Sequence, residues 1–181
     1  MRMKLVVVGG VAGGASAAAR VRRLDEKAEI KLFERGQDVS FSNCSLPYYL
    51  GGVVGSAEDL IMMTPESFKG KHNIDVTVNS EVTAIDRVAK CVTVRNTQTG
   101  ETFTESYDKL VLAPGASPIM PRSIRGIERD NVFSVRNVSD VVRIKACLDR
   151  ENVQNVVVVG GGFIGIETAE NLCLAGKNVA V

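Results

Sequence analysis

The chain has 181 residues, of which 45% are hydrophobic and 24% are charged, values typical of a soluble globular protein. Its formal net charge of +1 argues against a surface that follows nucleic-acid phosphates, because such domains have a strong basic excess. The apolar runs at 5–8 and 156–159 are short and end in glycines, so they predict neither a signal peptide nor a membrane span, and we expect a cytoplasmic protein.

The first segment predicts a strand, a turn and a helix. A β-branched run at 4–8 ends in the glycine-rich turn 9–14, and small residues with arginines continue at helical spacing to about Asp25. A second predicted strand at 29–33 ends on Glu34, as in a dinucleotide-binding βαβ unit, where the turn meets a pyrophosphate and the acid binds a ribose. Val11 replaces the middle glycine, so this segment alone leaves open a βα turn of another α/β protein.

The next segment, SFSNCSLPYYLGG at 40–52, contains a single cysteine. Proline is tolerated in the first turn of a helix, so Pro47 predicts a helix that begins near Cys44, where the helix dipole favours a thiolate. Ser40, Ser42 and Asn43 either donate hydrogen bonds to the sulfur or a substrate, or serve only as turn and cap residues.

The four cysteines lie far apart, and their spacing predicts neither a disulfide framework nor a metal site. We expect Cys91, Cys147 and Cys173 to be buried small hydrophobic residues. Cys44 has polar neighbours and no second cysteine nearby, so in a redox role it must pair with an external sulfur or form a sulfenic acid.

The middle of the chain alternates between 75 and 107 as an antiparallel meander should, and we interpret it as scaffold. A buried strand then ends in Ala113-Pro114-Gly115, where doubly wound sheets bind ligands. A linker is predicted over 118–131 and an amphipathic helix over 139–150.

The last segment contains a complete G-x-G-x-x-G at 160–165 between a strand from Asn155 and a helix to about Ala175. Gly176 ends the helix and a strand follows to Val181, so the acid expected about twenty residues later would lie beyond the chain. We therefore expect these residues to be the front part of a longer protein. Two nucleotide sites and one thiol together suggest electron transfer from a nicotinamide through a flavin to sulfur.

Four motifs together resemble the single-cysteine flavoprotein disulfide reductases, most closely the coenzyme A disulfide reductases and their persulfide-reducing relatives. They are KLVVVGGVAGGASAAARVRRL, FERGQDVSFSNCSLPYYLGG, YDKLVLAPGASP and VVVVGGGFIGIETAENL. The resemblance implies an α/β fold, with a Rossmann-like FAD-binding domain and its three-stranded antiparallel meander at 1–118. A linker and crossing helix would follow at 119–150, and the start of a Rossmann-like NAD(P)-binding domain at 151–181.

The resemblance also implies roles for particular residues. The FAD site would comprise Gly9, Gly10, Val11, Ala12, Gly13, Gly14, Glu34, Arg35, Val82, Ala113, Pro114 and Gly115. The NAD(P)H site would comprise Gly160, Gly162, Ile164, Gly165 and Glu167. Cys44 would alternate between a thiolate and a mixed disulfide with coenzyme A, assisted by Asn43 and Ser40. Ser16, Arg20, Arg22 and Lys71 would bind the phosphates of coenzyme A, although a solvated helix face explains the same cations.

Two other functions stay open. One is an NADH oxidase or peroxidase that cycles through a cysteine sulfenic acid, and the other is a nucleotide-binding fragment without turnover. The resemblance implies a homodimer when full length, and we expect weak flavin retention by this fragment. The cysteine spacing, the short apolar runs and the net charge predict no metal, membrane or nucleic-acid partner. The sequence does not distinguish NADH from NADPH, or coenzyme A disulfide from persulfide. It also does not show whether a rhodanese domain follows.

Overall fold

The computed structural model describes residues 2–181, which form two compact units. Residues 2–41 and 61–115 make up the first unit, and residues 42–60 and 116–181 make up the second. The chain leaves the first unit after Phe41 and re-enters it at Ile61, and these two residues pair in an isolated antiparallel bridge. The cysteine segment therefore groups with the second half of the chain. This grouping differs from the predicted division at 118. The division into functional domains stays a prediction.

The first unit is built on a four-stranded parallel sheet in the order β3-β2-β1-β7. Its strands are β1 (Lys4–Val8), β2 (Glu29–Phe33), β3 (Asp75–Thr77) and β7 (Lys109–Leu112). Helix α1 (Ala12–Leu24) connects β1 to β2, as the glycine turn and the following helical spacing predict. Helix α3 (Pro65–His72) precedes β3, and its N-cap residue Thr64 accepts a hydrogen bond from Ser67 N–H at 3.2 Å.

An antiparallel sheet of β4 (Ser80–Asp86), β5 (Cys91–Asn96) and β6 (Thr102–Ser106) completes the unit. The predicted meander is confirmed over these strands, but its first three residues are not part of it. Residues 75–77 instead form β3, which pairs parallel to β2. Alternation alone does not reveal the partner of a strand, because the same period of two occurs in both kinds of sheet.

The parallel sheet is buried on both faces, which explains the continuous apolar sequence of β1. Leu5 and Val7 lie in a core with residues of α1, β2, α3 and the loops beside them, namely Ala18, Ala28, Ile30, Leu32, Val39, Phe68 and Ile74. Val6, on the other face, packs with Phe33 of β2 and with Val92 and Val94 of the antiparallel sheet. The carboxyl ends of β1, β2 and β7 therefore lie at one edge of a rigid sheet, where the first glycine turn begins.

The second unit contains a parallel pair, β8 (Asn155–Val157) and β9 (Asn178–Ala180), connected by α5 (Phe163–Leu174). The short helix α2 (Leu46–Leu50) packs against α5 and against α4 (Val138–Leu148). Leu46 and Leu50 are buried, as are Val141 and Leu148 of α4. Within residues 2–181, we find no helix with both the length and the apolar character needed to cross a membrane.

Candidate functional site

The first glycine turn is closed so tightly that two of its positions exclude a side chain. A Cβ added to Gly14 would lie 1.7 Å from the carbonyl oxygen of Gly9, and one added to Gly9 would lie 2.0 Å from the carbonyl oxygen of Ala113. Gly9 also has a φ of +91°, which favours glycine. The turn is held to the sheet by hydrogen bonds from Gly9 N–H to Phe33 O and from Ala113 N–H to Val8 O, both at 2.8 Å.

Glu34 lies beside this turn at the end of β2. Its Oε2 accepts a hydrogen bond from Gly10 N–H at 2.7 Å, and its Oε1 accepts one from Gly36 N–H at 2.9 Å. The residue is 9% exposed. Leu32 and Val39 pack where a side chain at Gly10 would project, since an added Cβ would lie 2.6 Å from each. The acid predicted from the spacing is therefore next to the turn, with its carboxylate already anchored by two backbone donors.

Val11 has a negative φ, although its ψ of −132° lies outside the main helical and extended regions. Its φ of −92° does not require glycine, which explains how valine replaces the middle glycine of the fingerprint. Val11 is also the N-cap residue of α1, where its side chain makes no capping hydrogen bond. The first turn that follows, with Ala12 and Gly13, contains no acid.

The second glycine turn repeats the geometry of the first within the other unit. A Cβ added to Gly165 would lie 1.9 Å from Gly160 O, and Gly160 has a φ of +113°. The N-cap residue of α5 is Gly162, and neither a side-chain cap nor an acid is found in the first turn of that helix. Ile164 is exposed there, and Glu167 is half-buried one turn further on.

These two helix N-termini differ from those of α3 and α4, which are capped by their own side chains. In α4, Asn137 Oδ1 accepts from Asp140 N–H at 2.8 Å, and Asp140 Oδ2 accepts from Asn137 N–H at 3.3 Å. At α1 and α5, a phosphate would meet N–H groups and the positive end of the helix dipole without competition from a capping side chain. The residues at both turns therefore fit dinucleotide phosphates.

Cys44 is exposed in a short 3₁₀ turn, Asn43–Ser45, which leads directly into α2. The α-helix itself begins at Leu46 and ends at Leu50, so the predicted helix start near Cys44 is two residues early. Pro47 lies in the first turn of α2 as predicted. The hydroxyls of Ser42 and Ser45 are 2.7 Å apart, and Ser45 N–H donates to Ser42 O at 3.2 Å, so hydrogen bonds on both sides of Cys44 fix the turn.

The other cysteines differ in burial from the prediction. Cys91 and Cys147 are half-buried, but Cys173 is exposed and not a core residue. All four cysteines are free thiols. Among residues 2–181, no cluster of three or more His, Cys, Asp or Glu side chains is arranged to hold a metal ion.

Ser40, predicted to assist the thiol, belongs to the first unit. Its backbone N–H donates to Gly10 O at 2.9 Å, its carbonyl accepts from Met62 N–H at 2.9 Å, and its φ is +50°. The segment before the cysteine is thus tied to the first glycine turn through the backbone of Ser40. Nothing in these contacts involves the Ser40 hydroxyl.

The remaining cofactor positions predicted from the resemblance also lie in the first unit. Val82 packs against the core of the antiparallel sheet next to an irregularity in the register between β4 and β5. Arg35 is exposed directly after Glu34, and Pro114 and Gly115 are exposed after β7. The roles of all these residues toward a cofactor stay predictions.

The four residues predicted to bind substrate phosphates are not equivalent. Ser16 and Arg20 are exposed one turn apart on α1, and Lys71 is exposed on α3. Arg22 is only 9% exposed, and its guanidinium donates to five backbone carbonyls, those of Asp25, Glu26, Ala28, His72 and Asn73. These contacts contradict a phosphate-binding role for Arg22. A guanidinium whose N–H groups are bound within the fold instead ties α1 to the end of α3.

Sequence reasoning missed Arg136, which lies in the segment before α4. Its Nη1 donates to Asn43 Oδ1 at 3.0 Å, and its Nε donates to Ala116 O at 2.8 Å. Asn43 and Arg136 are 93 positions apart, so no local pattern connects them. The only sequence signal is indirect: the Asn-x-x-Asp capping box fixes the start of α4 immediately after Arg136.

The chain belongs to the pyridine nucleotide-disulphide oxidoreductase family, whose model matches residues 3–181. A coenzyme A disulfide reductase from Staphylococcus haemolyticus is 43% identical over 178 residues, which are 98% of this chain and 40% of that protein. The resemblance seen in the four motifs and the α/β fold class are confirmed.

Two solved structures have the same fold over nearly all of this chain. Reduced CoADR-RHD from Bacillus anthracis is 50% identical with a TM-score of 0.93, over 99% of this chain and 32% of that one. An NAD-dependent persulfide reductase from A. fulgidus is 39% identical with a TM-score of 0.91, over 98% of this chain and 32% of that one. The chain thus spans about two fifths of the length of the curated relative and about one third of each solved structure.

Proposed function

We propose that this protein is an NAD(P)H-dependent flavoprotein oxidoreductase that reduces coenzyme A disulfide, or a coenzyme A persulfide, at Cys44. The observation that carries the proposal is the combination, in one chain, of two glycine turns without side-chain caps and one exposed thiol in a fixed turn. The names of the relatives support a coenzyme A-type substrate.

The first glycine turn and Glu34 are the groups that would hold FAD. The open N-terminus of α1 would meet the pyrophosphate, and the Glu34 carboxylate would accept hydrogen bonds from the ribose hydroxyls. The turn at Gly160–Gly165 would bind the pyrophosphate of NAD(P)H in the same way, with Glu167 one turn further along α5. When bound, these cofactors supply a hydride and relay its electron pair towards sulfur.

Cys44 provides the nucleophile. Its thiolate attacks coenzyme A disulfide, the S–S bond of the substrate breaks, and one coenzyme A thiolate leaves while a Cys44–coenzyme A disulfide forms. Two electrons from NAD(P)H and a proton then release the second coenzyme A thiol and restore the Cys44 thiolate. The sum is one disulfide, one NAD(P)H and one proton converted to two thiols and NAD(P)+.

Exposed cations of the first unit would bind the substrate. Arg20 and Lys71 offer charge for the phosphates of coenzyme A, and the Ser16 hydroxyl lies one helical turn before Arg20. We also propose a homodimer and a cytoplasmic location, for which the motif resemblance and the four free thiols are the support.

The experiment compares Cys44→Ser with Cys173→Ser, a control at another exposed thiol. In Cys44→Ser, NAD(P)H should still bleach the flavin absorbance, but coenzyme A disulfide turnover should fall to background, whereas Cys173→Ser should keep both. Turnover that survives in Cys44→Ser would show that this thiol is not the relay. The mass of the denatured wild-type protein separates the chemistries, because a reductant-releasable coenzyme A adduct supports the proposal and an oxygen adduct supports the oxidase or peroxidase.

A further inference from the structure

Arg136 joins three segments of the second unit through one guanidinium. Its Nε donates to the carbonyl oxygen of Ala116 at 2.8 Å, and its Nη1 donates to Asn43 Oδ1 at 3.0 Å. The residue itself is half-buried, and it directly precedes the N-cap of α4. One planar side chain thus connects the segment after β7, the cysteine turn and the α4 helix.

The base of this side chain is held in place by α4. The capping box of Asn137 and Asp140 satisfies the first backbone donors of the helix, and Val138 and Val141 are buried. An arginine fork bound at two points loses fewer conformations on binding than a lysine would, because the planar guanidinium is already organised. Arg136 can therefore fix the position of Asn43, a residue that is otherwise exposed.

The hydrogen bond also fixes which way the Asn43 amide is turned. A guanidinium has only donors, so the amide oxygen must face Arg136 and the amide N–H₂ must face away from it. That N–H₂ is the end of the side chain that can donate to an anionic sulfur. Ser42 and Ser45 hold the opposite side of the same turn through their hydroxyls, 2.7 Å apart.

We propose that Arg136 is a positioning residue for the cysteine turn, acting through Asn43 to set the reactivity of Cys44. The proposal rests on the proposed function only in taking Cys44 as the reactive thiol. It assigns to Arg136 no contact with substrate or cofactor.

The test measures the alkylation rate of Cys44 by iodoacetamide in the FAD-loaded protein, with peptide mass spectrometry to separate it from Cys173. The variants are Arg136→Ala, Arg136→Lys, Asn43→Ala and the double variant Arg136→Ala with Asn43→Ala. The matched control is Arg143→Ala, because Arg143 is an exposed arginine of α4 whose guanidinium lies over the Phe133 ring, 5.9 Å from its centroid. Exposed Cys173 is the reference thiol within each molecule.

We expect Arg136→Ala and Asn43→Ala each to lower the Cys44 alkylation rate about fivefold, because the Asn43 N–H₂ is no longer held to donate to the anionic sulfur, while the Cys173 rate stays constant. The double variant should be no more affected than either single one, because both remove the same contact. Arg136→Lys should recover part of the effect, since one ammonium can reach one acceptor but cannot reproduce the fork.

Additive effects in the double variant, or equal changes at Cys44 and Cys173, would overturn the proposal and leave Arg136 a purely structural residue. An unchanged Cys44 rate in Arg136→Ala would overturn it too. The measurement needs no turnover, so it succeeds or fails independently of whether coenzyme A disulfide is the substrate.

Discussion

The carboxylate of Glu34 accepts a hydrogen bond from the backbone N–H of Gly10 at 2.7 Å, joining the end of β2 to the turn that follows β1. Both strands belong to the parallel sheet, so the acid and the turn are fixed relative to each other by the ladder between them. The Gly10–Glu34 hydrogen bond therefore holds the carboxylate, a hydrogen-bond acceptor, beside the turn before a ligand binds.

We expect Glu34→Gln to weaken FAD binding about 10- to 100-fold, because a hydrogen bond to a charged group contributes about 1.5–3 kcal/mol. The amide oxygen can still accept from Gly10 N–H, but the amide N–H₂ then faces Gly36 N–H, so we also expect about 1–3 kcal/mol of destabilisation. Fluorescence titration of the apoprotein with FAD measures the effect. Glu26→Gln, at an exposed position, is the control, and equal FAD affinity in both variants would contradict the role of Glu34.

The neighbouring glycines Gly13 and Gly14 should differ in how far substitution by alanine lowers stability. We expect Gly14→Ala to destabilise the protein by about 3 kcal/mol or more, because its Cβ would lie 1.7 Å from Gly9 O, which is backbone that cannot move aside. Gly13→Ala should fold with unchanged or slightly higher stability, since the nearest atom to its Cβ is Ala113 Cβ at 3.5 Å and alanine favours a helix. Urea unfolding followed by circular dichroism measures both. Equal stability of the two variants would show that the close approach at Gly14 is not required.

The glycine turns, their strands and their helices could be predicted because the signal is local. In each turn, strand, glycines and helix follow one another within about twenty residues, and the backbone closes on itself. The amphipathic spacing that predicts α4 is equally local. The prediction for β3 was wrong because strand pairing is a long-range property. The alternation of residues 75–77 suggests the meander and does not reveal that their partner is β2.

The two arginines show the same limit at the site. The family resemblance implies a substrate role for Arg22, yet the carbonyls that it binds include those of His72 and Asn73, about fifty positions away. Arg136 was missed because its partner, Asn43, lies 93 positions earlier. Side-chain roles that depend on contacts between distant segments require the packed structure.

An ion-pair cluster connects the two sheets of the first unit and should make stability depend on pH. Glu105 of β6 contacts Lys4 of β1, and its Oε2 lies 2.6 Å from Lys31 Nζ of β2. Burial raises the pKa of Glu105, but the hydrogen bonds from Lys31 and Lys4 outweigh this, so its pKa is below the usual value of 4.5. The hydrogen bond to Glu105 raises the pKa of Lys4 above 10.5 despite the opposing effect of burial.

The folded state therefore gains stability from Glu105 at pH values above the unfolded carboxyl pKa and loses it as the pH falls through the lower folded pKa. We expect Glu105→Gln to lower the free energy of unfolding by about 1 kcal/mol at neutral pH, and by less as the pH falls below about 4. Urea unfolding across this pH range measures the difference. Glu81→Gln, which removes the more exposed ion pair with Arg95, should have a smaller effect. A difference for Glu105→Gln that grows on acidification would contradict the assignment.

Arg20 and Arg22 are two positions apart on α1, but substitution by alanine should lower the free energy of unfolding only at Arg22. In Arg22→Ala, up to five carbonyls lose a donor, and each one left buried without a partner costs about 1–3 kcal/mol. With partial rescue by water, we expect about 2–4 kcal/mol of destabilisation, and Arg22→Lys should recover little of it, since one ammonium cannot reach the carbonyls on both sides of the fork. Arg20→Ala should leave unfolding within about 0.5 kcal/mol of the wild type, because the side chain is exposed.

If Arg20 binds a phosphate of coenzyme A, Arg20→Ala should raise the KM for coenzyme A disulfide several-fold, with kcat and the KM for NAD(P)H unchanged. The KM should also become less sensitive to salt, because a screened charge contact has been removed. Arg87→Ala, at an exposed arginine in the turn between β4 and β5, is the matched control and should change neither constant. An Arg20→Ala variant with wild-type kinetics would favour the solvated-face interpretation, and a large loss of stability in the same variant would show that Arg20 also has structural partners.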